Sequence, residues 1–288
     1  MTLLQGILLG LLQGIAEFLP ISSSGHLAVV QNLFGLEDIP LLYDVILHLA
    51  TLLAVCIYFR KKIAKLFMVF GRLIARKPAP SEIDSEDFLC GTEERGRRTI
   101  LALIISTLVT GVIGLFTSKL IPELPIRVTC AGFLVTAVLL IVSSVIERKR
   151  ALSEEKAAQS ENEEKGISVI QALVIGLMQG FGTLPGISRS GSTIAGSQFC
   201  GLRRDAAGEY SFLVSIFAIL GAFVLELKDV SETGFNVGAA PVIGGCVAAF
   251  IAGYAALTLL MKIIKKGNLE WFALYLIPLG ILGSIFLK

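Results

Sequence analysis

The sequence predicts an all-α polytopic membrane protein, with about six transmembrane helices and two re-entrant helix pairs arranged as an inverted-topology internal repeat. Three observations carry this. Of 288 residues, 54% are hydrophobic and 17% charged, whereas soluble domains carry about 25% charge. Apolar stretches of membrane-spanning length recur along the chain. A glycine- and serine-rich segment is written twice, 166 positions apart, in register from Gln5/Gln171 to Leu36/Leu202.

The first copy reads Gly10-Leu-Leu-Gln13-Gly14, then Glu17-Phe-Leu-Pro20-Ile-Ser22-Ser23-Ser24-Gly25-His26. The second reads Gly176-Leu-Met-Gln179-Gly180, then Leu184-Pro185-Gly186-Ile-Ser188-Arg189-Ser190-Gly191-Ser192-Thr193. Each is a short apolar helix, broken by proline and glycine at 19–25 or 183–191, with a second short helix after it. Irregular backbone at membrane depth survives only where protein or a wet cavity satisfies its polar groups. Each copy is therefore expected to be a re-entrant pair of half-helices meeting at a polar turn. Gly6, Gly10 and Gly14 recur at every fourth residue, a spacing for close helix–helix approach.

Six further stretches, 42–59, 99–117, 127–146, 207–227, 240–261 and 269–287, have the ~17–25 residues needed to cross the hydrocarbon. Basic residues crowd 60–98, 148–150 and 262–266, while 118–125 and 228–232 are poorer in them. Placing the basic loops in the cytoplasm makes the first copy enter from outside and the second from inside. The units are then 1–147, with a cytoplasmic loop at 60–98, and 167–288, joined by a charged linker at 148–166. Within that loop, 60–77 mixes basic and apolar residues as a helix on the inner leaflet does. Residues 78–98 and 147–166 are polar and rich in charge, and read as a solvated helix extension or a flexible linker. The first twenty residues lack a basic stretch and read as part of the fold, not as a signal peptide.

A net charge of +2 gives no reason to expect nucleic acid. The five cysteines have no metal-ligand or redox spacing. Four lie in apolar stretches as packing residues, and Cys90, in a polar loop, is the only candidate for incidental surface reactivity.

The two copies share a scaffold and differ in chemistry. Glu17 follows Gln13 by four residues, on one helix face, and an intramembrane carboxylate is a functional hypothesis by default. It can act as a general base or help hold a divalent cation, to which Gln13 can add only its amide oxygen. The serine-rich turns Ser22-Ser23-Ser24-Gly25 and Ser188-Arg189-Ser190 lead into helices. Helix amides, hydroxyls and a guanidinium together suit a phosphate group. His26 follows the first turn and can take a proton or attack phosphorus. His48 and Asp44, one turn apart on the first span, either support the site or satisfy each other.

The Glu17–His26 and Pro185–Thr193 segments resemble the two signatures of the undecaprenyl-pyrophosphate phosphatase family, also called the BacA/UppP or bacitracin-resistance family. The resemblance covers nearly the whole chain. It implies hydrolysis of undecaprenyl pyrophosphate to the monophosphate, dependence on a divalent cation (Mg²⁺ or Ca²⁺), a place in the bacterial inner membrane and an active site towards the outer face. It implies catalytic roles for Glu17, His26, Ser23 and Arg189, with Gln13, Ser22, Ser24, Gly25, Gly186, Ser188, Ser190 and Thr193 binding substrate and Glu17 and Gln13 holding metal. The nucleophile is Ser23, His26 or water. Family members carry Glu or Gln at the place of Gln13. The expected partners are undecaprenyl pyrophosphate and the lipid bilayer, with a homodimer as a further option. The rival reading is a transporter or flippase for a phosphorylated lipid or anion.

Overall fold

The duplication reaches down to the helix caps. Thr2 and Ser168 each accept a hydrogen bond from the backbone of the third residue on, and Gln5 and Gln171 reach back to the cap. These are two capping boxes, and they start α1 (Leu3–Phe18) and α7 (Val169–Phe181). Ser22 and Ser188 cap the next helices by accepting from the amides of Gly25 and Gly191. Those helices, α2 (Ser23–Leu33) and α8 (Arg189–Phe199), begin and end 166 positions apart. This computed structural model describes residues 1–36, 41–78, 87–120, 124–152, 166–233 and 237–287.

The remaining helices are α3 (Leu41–Tyr58), α4 (Arg60–Ala75), α5 (Glu93–Leu120), α6 (Ile126–Leu152), α9 (Arg204–Thr233), α10 (Ala239–Lys266) and α11 (Trp271–Phe286). No strand occurs among the described residues, so the all-α expectation holds. Helices α5, α6, α9 and α10 are long and apolar enough to cross a membrane unaided. The other two expected spans are shorter. Helix α3 has 18 residues before a 78° bend into α4, and α11 has 16 residues with Pro278 inside, a rise of about 24 Å.

The halves interlock. Helix α1 packs along α10, α7 along α5, α6 along α11, and α3 crosses α9. Along α1, Gly6, Gly10 and Gly14 meet Pro241, Gly245 and Ala249 in turn, so α1 and α10 run parallel. A Cβ at Gly10 would strike the carbonyl oxygen of Gly245, which is the close approach expected of this stripe. Similarly, Gly176 meets Ser106 and Gly180 meets Ile113, so α7 runs parallel to α5. Ion pairs Arg148–Glu270, Arg204–Glu147 and Lys62–Glu209 gather the ends of α6, α9 and α11 with α4 at one basic end of the bundle. Helix α5 starts at that end and α10 finishes there. Consequently α7 enters from the basic end and α1 from the opposite one, the inverted arrangement that the repeat predicts.

Helix α4 occupies 60–75 as its mixed pattern foretold. Leu66 and Val69 turn inward, and Phe67, Phe70 and Ile74 are exposed. Lys62 pins it, its ammonium 2.7 Å from Asp87 and 2.6 Å from Glu209. Burial alone would lower the Lys62 pKa, but the two carboxylates outweigh it and hold the pKa above the ordinary lysine value.

Two expectations need correction. Cys90 is buried and donates to Asp87 at 3.2 Å; burial, then the Asp87 charge, push its thiol up to about 12, so it is not reactive. Of the stretch read as a solvated helix extension or flexible linker, residues 93–98 take the first form, as the opening turns of α5, where Arg72 and Arg98 pair with Glu93 and Glu94. Residues 228–232, read as a loop, continue α9. Of the charged stretches, 79–86, 121–123 and 153–165 lie outside the described residues.

Candidate active site

The site forms where the two interrupted segments meet. Pro20 and the residues around it end α1, and four residues later α2 begins; Gly182 to Ser188 make the matching break between α7 and α8. Gly186 sits at φ 81° with its Cα pressed against the carbonyl of Thr129 on α6. Only glycine meets both demands without strain. Ser22 also takes a left-handed φ of 71°, unusual for a residue with a side chain and a mark of strain held in place by its surroundings.

Glu17, near the end of α1, is the hub. Its Oε1 pairs with the guanidinium of Arg189. Its Oε2 accepts from Ser23 Oγ at 2.6 Å and from Gln13 Nε2 at 3.1 Å, and His48 Nε2 lies 3.2 Å from the same oxygen. Ser23 and Arg189 occupy equivalent places in the two copies, each the first residue of its short helix. Equivalent positions of the duplicated scaffold thus converge on one carboxylate.

Glu17, Ser23, Arg189 and His48 line a cavity of about 410 Å³ with Ser24, Ser188 and Ser190, in the range of small-molecule sites. The N-termini of α2 and α8 both face it, and helix N-termini favour anions. The facing wall is apolar, built from Val45 on α3 and Ala218, Ile219 and Ala222 on α9. Nη1 of Arg189 and Oε1 of Gln13 are buried without a hydrogen-bond partner. The first is a donor for an anion. The second, with the Glu17 carboxylate and the His48 imidazole, makes a donor set that fits a divalent cation.

Other expected site residues shape the turns. Gly25 packs against the Phe133 ring and Gly186. Thr193 donates at 2.6 Å to the carbonyl of Arg189, one helical turn back. Ser22 and Ser188 cap their helices and reach Ser24 and Ser190 at 3.4 and 3.2 Å.

His26 departs most from expectation. Its Nδ1 lies 2.8 Å from the Ser22 carbonyl and its Nε2 2.8 Å from the Tyr275 hydroxyl, and its ring packs between Phe133 and Tyr275. Four residues past the cap, its side chain points towards α6 and α11 instead of the cavity. The histidine at Glu17 is His48, whose Nδ1 bonds the backbone carbonyl of Asp44 at 2.7 Å. The Asp44 carboxylate instead takes Gln31 at 2.8 Å. His48 lies outside both motifs, so only its turn-spacing to Asp44 drew notice in the sequence. Nothing there singled out Tyr275.

Comparison with known proteins identifies the family of the chain. The family model "Bacitracin resistance protein BacA" matches residues 6–282. The chain is 46% identical over 286 residues to the undecaprenyl-diphosphatase of Treponema denticola, covering 99% of this chain and 98% of that one. It is 39% identical to the undecaprenyl-diphosphatase of Desulfatibacillum aliphaticivorans, over 94% of both chains, and 36% identical to that of Alkaliphilus metalliredigens, over 99% of both. From its duplicated, inverted architecture and these matches along almost its full length, the chain belongs to the BacA family of bacitracin resistance proteins.

Proposed function

We propose that this protein is an integral-membrane phosphatase that hydrolyses undecaprenyl pyrophosphate to the monophosphate and inorganic phosphate. It thereby recycles the lipid carrier for peptidoglycan and confers bacitracin resistance. One observation carries this reading: a buried carboxylate, a guanidinium and two helix N-termini meet in a single cavity whose facing wall is apolar. The polar half suits a pyrophosphate, and the apolar half suits the start of an isoprenoid chain.

Phosphoryl transfer needs mainly positioning and charge neutralisation. The terminal phosphate takes the Arg189 fork, including its unpartnered Nη1, and so displaces Glu17 Oε1 from it. Glu17 is then free to take the proton of the attacking hydroxyl. Ser23 Oγ, already donating to Glu17 at 2.6 Å, is one nucleophile; a water in the same place is the other. The P–O bond to the bridging oxygen breaks, and the electron pair leaves on the polyprenyl monophosphate; where Ser23 attacks, a water then cleaves the phosphoserine, releasing inorganic phosphate and restoring the hydroxyl. His26 braces the turn through the Ser22 carbonyl, while Ser24, Ser188 and Ser190 offer hydroxyls to phosphate oxygens.

A divalent cation, Mg²⁺ or Ca²⁺, held by Glu17 and Gln13, would add charge neutralisation at the phosphates. The basic end of the bundle is read as cytoplasmic, so α1 and α2 enter from the outer face of the inner membrane. Light scattering of the purified protein decides between monomer and homodimer.

Detergent micelles offer no second compartment, so a transporter registers nothing there whereas hydrolysis does. Purified protein in detergent is expected to release phosphate from undecaprenyl pyrophosphate in the presence of Mg²⁺ or Ca²⁺ and to stop with EDTA. Substrate binding without phosphate release under every cation would contradict the phosphatase reading and favour the transporter.

A further inference from the structure

We infer that His48 is a third protein ligand of the divalent cation, beside Glu17 and Gln13. This rests on the cation-dependent phosphatase reading and adds to it a residue from a helix that neither motif contains. The Asp44 carbonyl can only accept a hydrogen bond, so Nδ1 of His48, 2.7 Å away, carries the hydrogen. Nε2, 3.2 Å from a Glu17 carboxylate oxygen that can likewise only accept, carries the second hydrogen; a bound cation takes that hydrogen's place, and Nε2 then offers it a lone pair. A ring fixed through its far nitrogen by a backbone carbonyl is how metal-bound histidines are oriented.

The spacing agrees. Nε2 of His48 lies 3.2 Å from Glu17 Oε2, and the Gln13 amide nitrogen lies 3.1 Å from that same oxygen. Ligands at right angles on a six-coordinate ion with bonds of about 2.1 Å are about 3.0 Å apart. Both separations therefore suit neighbours in one coordination shell. A half-turn of the Gln13 amide brings its unpartnered Oε1 to where its nitrogen lies. Among the described residues no three His, Cys, Asp or Glu side chains gather around one point; the third donor is this amide, and substrate phosphate oxygens complete the shell. His26 is not a candidate, because a carbonyl and a tyrosine hydroxyl engage its two nitrogens. An imidazole suits a first-row transition ion better than it suits Ca²⁺, and among those ions Mn²⁺ also takes carboxylate and carbonyl oxygens readily.

Mn²⁺ is the probe, added to the full-length protein with and without methylene diphosphonate and read by pulsed electron paramagnetic resonance. The expected result is hyperfine coupling to one imidazole nitrogen, altered when histidine is labelled with heavy nitrogen. Coupling should be absent in His48→Gln, whose Mn²⁺ dissociation constant should rise roughly tenfold or more. The chain has two histidines, so coupling retained in His26→Gln assigns it to His48 even where His48→Gln misfolds. Mn²⁺ held by oxygen alone, while phosphate release still needs a cation, overturns the His48 assignment and leaves the phosphatase reading intact. Phosphate release that persists in EDTA, with no Mn²⁺ bound in either condition, overturns the cation site itself.

Discussion

The guanidinium of Arg189 rests on the carboxylate of Glu17 across 172 residues of sequence, joining the first residue of α8 to the end of α1. Glu17 is buried, the Arg189 side chain is 16% exposed, and each neutralises the other. A phosphate entering the cavity therefore competes with Glu17 for Arg189. The ion pair holds the site in shape when empty, and its exchange for a substrate contact releases the base.

This exchange separates binding from catalysis at Glu17. Replacing it by Gln removes the proton acceptor and should lower kcat by about 10²–10⁴-fold. The same change removes the competitor for Arg189, so affinity for methylene diphosphonate in the absence of added cation should hold or rise. Isothermal titration beside single-turnover kinetics reads both; equal losses in affinity and rate would contradict the exchange.

Arg189 should not be replaceable by Lys. The guanidinium serves Glu17 and a phosphate through a planar fork, which a point charge does not reproduce. Both Arg189→Lys and Arg189→Ala are expected to lose about 10²-fold or more in kcat/KM. Recovery to near wild-type rates by Lys would show that charge alone suffices.

The serines divide by role. Ser23→Ala should abolish most turnover if its hydroxyl attacks phosphorus, and acid quench should then trap a phosphoenzyme in the wild type. If water attacks, no phosphoenzyme forms and the loss is smaller. Ser188→Ala removes a helix cap and should cost about 0.5–2 kcal/mol of stability, seen as a lowered thermal midpoint.

His26 should act through the turn it holds. His26→Ala is expected to reduce activity with loss of order around Ser22. Tyr275→Phe removes only one of the two ring-nitrogen partners and should retain most activity. A Tyr275→Phe enzyme as impaired as His26→Ala would mean that the hydroxyl itself has a catalytic part.

The Lys62–Asp87 pair predicts a pH window for docking of α4. Burial would raise the Asp87 pKa, but the hydrogen bond and charge of Lys62 outweigh it and leave the pKa lowered from 3.8. Its stabilisation is therefore complete above that value and lost as pH falls further. The Lys62 pKa is raised from 10.5, so its share is complete below that and lost as pH rises past it. Lys62→Ala should lower the thermal midpoint throughout the window and have little effect below it, where Asp87 is protonated.

Local signals made most of the fold legible. The capping residues, the four-residue glycine spacing and the two proline breaks each act within one or two turns, so the sequence displays them directly. The meeting of Glu17 with Arg189 followed from the inverted repeat and loop charge. What escaped was direction and partner choice. His26 is close to Glu17 along the chain, yet its place on α2 turns the ring to Phe133 and Tyr275. His48 reaches Glu17 only because α3 packs beside α1 and α9. Cys90 looked exposed because its neighbours are polar, but it is buried with Phe88 and Leu89 in the apolar core beside Asp87.

Phosphate release by wild type, Glu17→Ala and Arg189→Ala, measured side by side on undecaprenyl pyrophosphate with a divalent cation present, bears most directly on the composite site. A turning-over wild type and severe loss in both variants is the expected result. An inactive wild type, or undiminished rates in both variants, would contradict it.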